Sequence, residues 1–189
     1  MSLVFYFSSM NSGKSLSLLT KNFMLREKGA NTILIKPSID DRTHTISSRL
    51  GIEEECLVVD PLTNIVSMIR SNVSYSDIMP DYILVDEAQF LTKEQVWQLS
   101  ELVDHFGIAV LCYGIKLNWQ GQFFEGSEEL IKIADKIVQF DTYCKETGEP
   151  ALFHIKKGGN GDSVETGYED MYETVSRKVW RQWYNERSR

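Results

Sequence analysis

An apolar run, Leu3-Val4-Phe5-Tyr6-Phe7, leads through two serines into Met10-Asn11-Ser12-Gly13-Lys14-Ser15, and Leu16, Leu19 and Phe23 follow at helical spacing. A strand, a tight Gly-Lys-Ser turn and a helix in that order restrict the fold more than any other feature of the chain. The helix N-terminus offers unpaired N–H groups and a partial positive charge, which suit a polyphosphate. In the pattern G-x-x-x-x-G-K-[ST], Lys14 reaches the β- and γ-phosphates and the Ser15 hydroxyl holds Mg²⁺. Ser8, Ser9, Met10, Asn11, Ser12, Gly13, Lys14 and Ser15 are therefore the expected binding loop for a nucleoside triphosphate. The first position is Ser8 instead of glycine, so this loop starts without a freely positive φ. A plain surface turn also explains Ser-Gly-Lys-Ser taken alone; the strand before it and the helix after it favour the phosphate loop.

Apolar, β-rich runs at 3–8, 32–36, 56–60, 82–86, 108–113 and 137–140 alternate with helical patterns at 15–28, 63–71, 92–104 and 127–133. That alternation predicts an α/β fold, a mostly parallel sheet with helices on both faces. Tyr82-Ile83-Leu84-Val85 shows no polar alternation, as expected of a central strand buried on both sides. Thr92 and Gln95 predict a capping box, with Val96, Leu99, Val103 and Phe106 behind it. Gly29 is placed to close the first helix. After about residue 141 the character changes. Residues 145–171 are polar and glycine-rich around Gly158-Gly159-Asn160-Gly161 and read as a long loop. A final helix is expected from Tyr172 to Glu186, carrying Val175, Val179, Trp180 and Trp183. The chain is read as a nucleotide-binding domain over 1–140 and an appendage over 141–189.

Composition narrows the function. At 189 residues the chain can bury a sizeable core. Its net charge of −7 argues against a general nucleic-acid surface, which needs clustered Lys and Arg. It has no apolar run of about 18 residues, so no membrane span is expected. Met-Ser-Leu-Val reads as the start of the first strand, with no basic segment of a secretory leader. Three scattered cysteines, Cys56, Cys112 and Cys144, fit reduced thiols and a cytoplasmic location.

Asp86 and Glu87 end the central strand, and ligands of open α/β sheets bind outside the carboxyl ends of strands. Asp86 is placed to face Ser15 across a metal. Glu87 points elsewhere because it is adjacent, and a carboxylate there can accept a proton from an attacking hydroxyl or water. A merely solvated acidic pair is the alternative. Lys36-Pro37-Ser38-Ile39-Asp40-Asp41-Arg42 follows the second strand on the same edge. Asp40 could touch Mg²⁺ or its waters and Arg42 could neutralise phosphate charge, or the stretch could be a polar loop.

With these pieces assembled, the chain resembles the type II thymidine kinases. The resemblance is carried by Met10 to Ser15, by Lys36-Pro37 with Asp40-Asp41-Arg42, and by Val85-Asp86-Glu87-Ala88-Gln89-Phe90. It continues through Tyr113-Gly114 and Trp119 to Phe124-Glu125-Gly126-Ser127, and through Gly167 to Asp170-Met171-Tyr172. It implies a P-loop, RecA-like fold with a small C-terminal lasso subdomain, and γ-phosphate transfer from ATP, with Mg²⁺, to the 5′-hydroxyl of thymidine. By resemblance Glu87 is the general base, and Met10, Phe90, Trp119, Phe124 and the lasso residue Tyr172 line the nucleoside slot. Family members usually carry Phe where this chain has Trp119.

Many members hold a structural zinc with two Cys pairs. Here those positions read Cys144-Lys145-Glu146-Thr147 and Ser176-Arg177-Lys178-Val179. A structural site needs four good ligands and His154 cannot restore it, so no zinc is expected. Phe153, Tyr172, Val175 and Trp180 are the candidates to pack the appendage instead. The family also implies a homotetramer and feedback inhibition by dTTP. Two other classes share the loop and the acid pair: an ATP-hydrolysing motor and a non-catalytic nucleotide sensor.

Overall fold

The computed structural model describes residues 1–38, 43–76, 79–157 and 171–187. Its centre is a sheet of six strands with every ladder parallel. The chain enters it through β1 (Leu3–Ser8), α1 (Lys14–Glu27) and β2 (Thr32–Pro37). A small antiparallel pair follows, β3 (Thr45–Ser47) and β4 (Glu53–Glu55), then β5 (Leu57–Val59) and α2 (Ile65–Ser76). β6 (Tyr82–Val85), a short 3₁₀ turn (Ala88–Phe90), α3 (Lys93–Phe106), β7 (Ala109–Ile115), α4 (Glu125–Ile133) and β8 (Lys136–Gln139) complete it. The strand order is β5-β2-β6-β7-β1-β8.

Alternation along the inner strands divides the core in two. Leu3, Phe5, Phe7, Ile83, Val85, Val110 and Cys112 pack with Ile65, Ile69, Val96, Leu99, Leu102 and Leu130 from α2, α3 and α4. Val4, Leu34, Leu84, Leu111 and Tyr113 point to the other face, against Leu18, Leu19 and Leu25 of α1. A sheet covered on both faces has no polar side to expose, which is why these strands read as continuous apolar runs. Within α1 the buried stripe differs from the expected one. Leu18, Leu19, Asn22 and Leu25 are buried, whereas Phe23 is 62% exposed. Asn22 takes the core position because its Oδ1 accepts the Thr32 hydroxyl at 2.6 Å.

The helix ends follow the local signals. Thr92 and Gln95 form the reciprocal capping box of α3. Gly29 and Gly107 lie in the left-handed region at φ 82° and 66° and close α1 and α3. At α1 the Ala30 N–H reaches back five positions to the Leu25 carbonyl and the Gly29 N–H bonds Arg26, as a Schellman ending requires, whereas at α3 the Gly107 N–H bonds Val103 and the Ile108 N–H reaches Leu102.

The appendage departs from its reading as a loop and a helix. β9 (Ala151–Lys156) runs through the expected loop, and β10 (Tyr172–Ser176) replaces the first turn of the expected helix, so α5 spans only Arg177–Arg187. β9 and β10 pair antiparallel. Period-two patterns in short polar stretches are masked when one face packs on the appendage's own small core. That core is Cys144, Ala151, Val175 and Val179, with Phe153, Ile155 and Trp180 against it. Tyr172, expected in this packing, lies outside the cluster and pairs with Lys156 across the hairpin. Residues 158–170, which include the glycine cluster, lie outside the described residues. No described helix is long and apolar enough to cross a membrane.

Replacing Thr92 with Ala removes one arm of the capping box that starts α3 on the main core. We expect a loss of about 1 kcal/mol of stability, read from the urea unfolding midpoint at unchanged slope.

Candidate active site

β1 delivers the Gly-Lys-Ser loop and β6 delivers the acid pair, with β7 between them. The two strand ends are thus two inter-strand spacings apart, roughly 9–10 Å, a gap that side chains and a triphosphate can span. Ser8 is still strand, and the positive φ values of the loop fall on Asn11 (61°) and Gly13 (78°). The missing glycine at the loop's start therefore costs nothing, because the left-handed turns come later. Gly13 caps α1 without a side-chain partner and no acidic residue occupies the first turn. That leaves the helix N-terminus open to an anion.

Lys14 is buried and folds back on its own loop, donating from Nζ to the Ser9 carbonyl at 2.6 Å and to Ser12 Oγ at 3.3 Å. Asp86 is 6% exposed. Burial, then the neighbouring Glu87 charge, push its pKa up to about 7, against the opposing pull of a Ser15 hydrogen bond, the Glu87 backbone N–H and Lys14. The Ser15 hydroxyl therefore bonds Asp86, and the Lys14 charge acts on the same carboxylate. Asp86 Oδ1 is buried with no hydrogen-bond partner. An orphaned carboxylate oxygen beside a serine hydroxyl is a donor set suited to a hard divalent cation such as Mg²⁺.

Glu87 occupies the left-handed region at φ 50° and ψ 37°, uncommon for a non-glycine residue. The turn it begins is over-determined by its surroundings. A Cβ on Gly126 would lie 2.5 Å from the Ala88 carbonyl and 2.8 Å from that of Leu91, and one on Gly114 would lie 2.7 Å from Gln89 Oε1. Both glycines let α4 and β7 close on the turn. Gln89 is a site residue whose individual role the sequence reading left unassigned. Its Oε1 accepts the Ile115 N–H at 3.1 Å, which fixes the amide so that Nε2 donates to Glu87 Oε2.

Phe90 and Phe124, two expected slot residues, meet edge to face at 5.3 Å. Trp119 packs against α5. Its ring meets Trp183 at 5.9 Å, its carbonyl accepts Trp180 Nε1 at 2.8 Å, and its own Nε1 is buried without a partner. A Cβ on Gly121 would sit 2.8 Å from Trp180, so α5 closes tightly on the loop that carries Trp119. Tyr172 opens β10 and is half-buried. Asp40 and Arg42 lie outside the described residues. Arg49, which no motif marked, hydrogen-bonds the side chain of Asn11 in the loop.

His154, considered in the sequence as a stray zinc ligand, lies instead against the phosphate loop. Its Nε2 accepts the Met10 N–H at 2.8 Å. Burial, then the Lys14 charge, push its pKa down to about 4, and a backbone hydrogen bond at Leu117 opposes them. The ring is neutral near pH 7, and the stability this contributes is lost as pH falls from 6.5 to about 4. Cys144 lies in a tight turn. Burial would raise its thiol, but hydrogen bonds from Thr147, from the Ser176 N–H and from the N–H groups of Thr147 and Glu146 outweigh burial and lower it. Among the described residues no group of three or more His, Cys, Asp or Glu side chains is arranged to hold a metal.

A parallel α/β sheet with a Lys-bearing anion loop facing a buried aspartate at one strand edge defines the class of P-loop nucleotide-binding proteins. Comparison narrows this. The family model for thymidine kinase matches residues 1–180. The chain is 39% identical over 188 residues to a thymidine kinase of Photobacterium profundum and 40% identical over 188 residues to one of Shewanella oneidensis; each match covers 95% of this chain and 96% of the relative. A thymidine kinase of Vibrio cholerae is 39% identical over 189 residues. The chain belongs to the thymidine kinase family.

Asp86 generates a pH signature in the ligand-free protein. Its folded pKa lies above its ordinary 3.8, so stability falls as pH rises from about 4 to about 7. Asp86→Asn, neutral throughout, is expected to melt higher than the parent at about pH 8 and to converge with it at low pH. A variant less stable than the parent at alkaline pH would show that the buried charge is already compensated.

Proposed function

We propose that this chain transfers the γ-phosphoryl group of ATP to the 5′-hydroxyl of thymidine, forming dTMP and ADP. The observation that carries the reading is the Ser15 hydroxyl bonded to a buried Asp86 that keeps one oxygen unpartnered, with the Lys14 charge acting on it. The family and the names of the relatives supply the acceptor.

In this reading Lys14 leaves its loop carbonyl for the β- and γ-phosphates, and the first-turn N–H groups of α1 hold the remaining charge. Ser15 and Asp86 hold Mg²⁺, with Asp40 a further candidate ligand. The bound ion neutralises charge on the phosphate oxygens. Arg42 screens the transferring group. Glu87 accepts the 5′-hydroxyl proton as that oxygen bonds to the γ-phosphorus, and the bridging oxygen departs with ADP. Gln89 aims Glu87, since its amide can present only N–H to the carboxylate. Met10, Phe90, Trp119, Phe124 and Tyr172 enclose the base, with Trp119 positioned from behind by Trp180 and Trp183. Zinc has no part in this reading. The hydrogen-bonded Cys144 turn and the apolar cluster around it hold the appendage. A cytoplasmic homotetramer inhibited by dTTP completes the reading, and sizing by light scattering and titration with dTTP test those two points.

Each deoxynucleoside, deoxyuridine included, offered with ATP and Mg²⁺ should give monophosphate from thymidine foremost. ATP turnover that ignores the nucleoside would defeat the reading. Glu87→Gln should bind ATP normally and lose roughly 10²–10⁴ in kcat. Gln89→Leu removes a hydrogen bond to a charged group, worth about 1.5–3 kcal/mol, and should lower kcat roughly 10- to 150-fold. Metal analysis should find zinc well below one equivalent, and EDTA should leave the melting temperature in place; stoichiometric zinc would refute the metal-free appendage.

A further inference from the structure

Met10 belongs to the phosphate loop and is also a candidate wall of the nucleoside slot. Both of its main-chain polar groups are taken, so its N–H is not left for a phosphate. The N–H donates to His154 Nε2 at 2.8 Å, and the carbonyl accepts from Thr174 Oγ1 at 3.1 Å. His154 is on β9 and Thr174 is on β10, and the two stand directly opposite in the hairpin register. A single cross-strand rung therefore holds the main chain of one loop residue at both its N–H and its carbonyl. The neighbouring residue is tied to the same hairpin. Ser9 Oγ donates to Thr142 Oγ1 at 3.1 Å, and the Thr142 hydroxyl donates to the Ala151 carbonyl at 2.6 Å.

The grip has a chemical requirement. His154 is 2% exposed and also hydrogen-bonds the backbone of Leu117, in the segment just before Trp119. To accept from Met10 and donate to a carbonyl, the ring must be neutral, with Nδ1 protonated and Nε2 bare. A side chain with one acceptor and one donor at that separation is needed. Loss of the acceptor strands a buried N–H within the loop that Lys14 also braces.

We propose that His154 is a positioning residue for the phosphate loop: with Thr174 across the hairpin, it sets the main chain at Met10 and thereby holds the loop in the shape that receives the donor nucleotide. This rests on the reading of residues 8–15 as the ATP site. It makes the donor side of the reaction depend on a hairpin that lies outside the nucleotide-binding sheet.

The test uses the full chain with His154→Leu, His154→Gln and Thr174→Val, and with Lys14→Met as control. ATP and thymidine are varied separately, and ATP affinity is measured by calorimetry. His154→Leu should raise the KM and Kd for ATP about tenfold, the scale of one buried group left unpaired, with the thymidine KM changed by less than about twofold. Gln, whose Oε1 can accept from Met10 while its amide donates to Leu117, should restore most of the loss. Thr174→Val should move ATP affinity in the same direction by a smaller factor. An unchanged ATP affinity in His154→Leu, equal rises for both substrates, or no recovery with Gln would each overturn the proposal. If the Leu variant does not fold, Thr174→Val decides: a selective rise for ATP supports the proposal and no change overturns it. Lys14→Met separates the two levels. If it abolishes ATP binding while His154→Leu is normal, only the role of His154 fails. If it binds ATP normally, the reading of the loop itself fails.

Discussion

A carboxylate closed off from water at the end of the middle strand is the constraint around which the site is built. Asp86 is buried, repelled by Glu87 and left with one oxygen bare. A buried charge in that position is unfavourable unless a cation or strong donors face it. Lys14 and Ser15 from the neighbouring loop supply part of that, and the bare oxygen leaves room for more. The loop and the acid pair are thus interdependent: each places charge or dipoles that the other needs. Their convergence requires the sheet order, in which β7 separates β1 from β6 and sets the span between them.

Glu87 shows how backbone geometry gives adjacent carboxylates different environments. Asp86 follows directly on β6 and faces the loop, whereas Glu87 turns into the left-handed region and starts a 3₁₀ turn. That conformation is held from three sides. Gln89 is locked by Ile115 and donates to Glu87, while Gly114 and Gly126 let β7 and α4 close on the turn where any Cβ would meet backbone or amide atoms. Strain of about 1–3 kcal/mol for such a residue is sustained only by packing of this kind. In the reading proposed above, the packing keeps the base aimed before substrate arrives.

The C-terminal part is organised by hydrogen bonds and a small apolar cluster. The thiol of Cys144 accepts from backbone N–H groups and from Thr147, and one of those N–H groups belongs to Ser176. Val179 packs in the same cluster. Cys144, Thr147, Ser176 and Val179 are therefore joined by hydrogen bonding and burial. The hairpin they support is the one that reaches the phosphate loop through His154 and Thr174.

The sequence by itself determined the parts that depend on local rules. Apolar runs marked all six sheet strands, the capping box and Gly29 marked helix ends, and Gly-Lys-Ser and Asp86-Glu87 marked the two halves of the candidate site, because strand burial, capping and anion binding each need particular residues at fixed short spacing. Tertiary structure decided what depends on distant partners. It exposed Phe23 and buried Asn22, whose Oδ1 accepts the Thr32 hydroxyl; it turned residues 151–156 and 172–176 into a hairpin, since only their mutual pairing and the cluster beneath make a strand of either; and it gave His154 and Gln89 their partners, since both bond to backbone groups that lie 144 and 26 positions away. A single side chain that bonds to a remote peptide leaves no periodic trace in the chain, so such contacts can be read only once the fold has brought the two ends together.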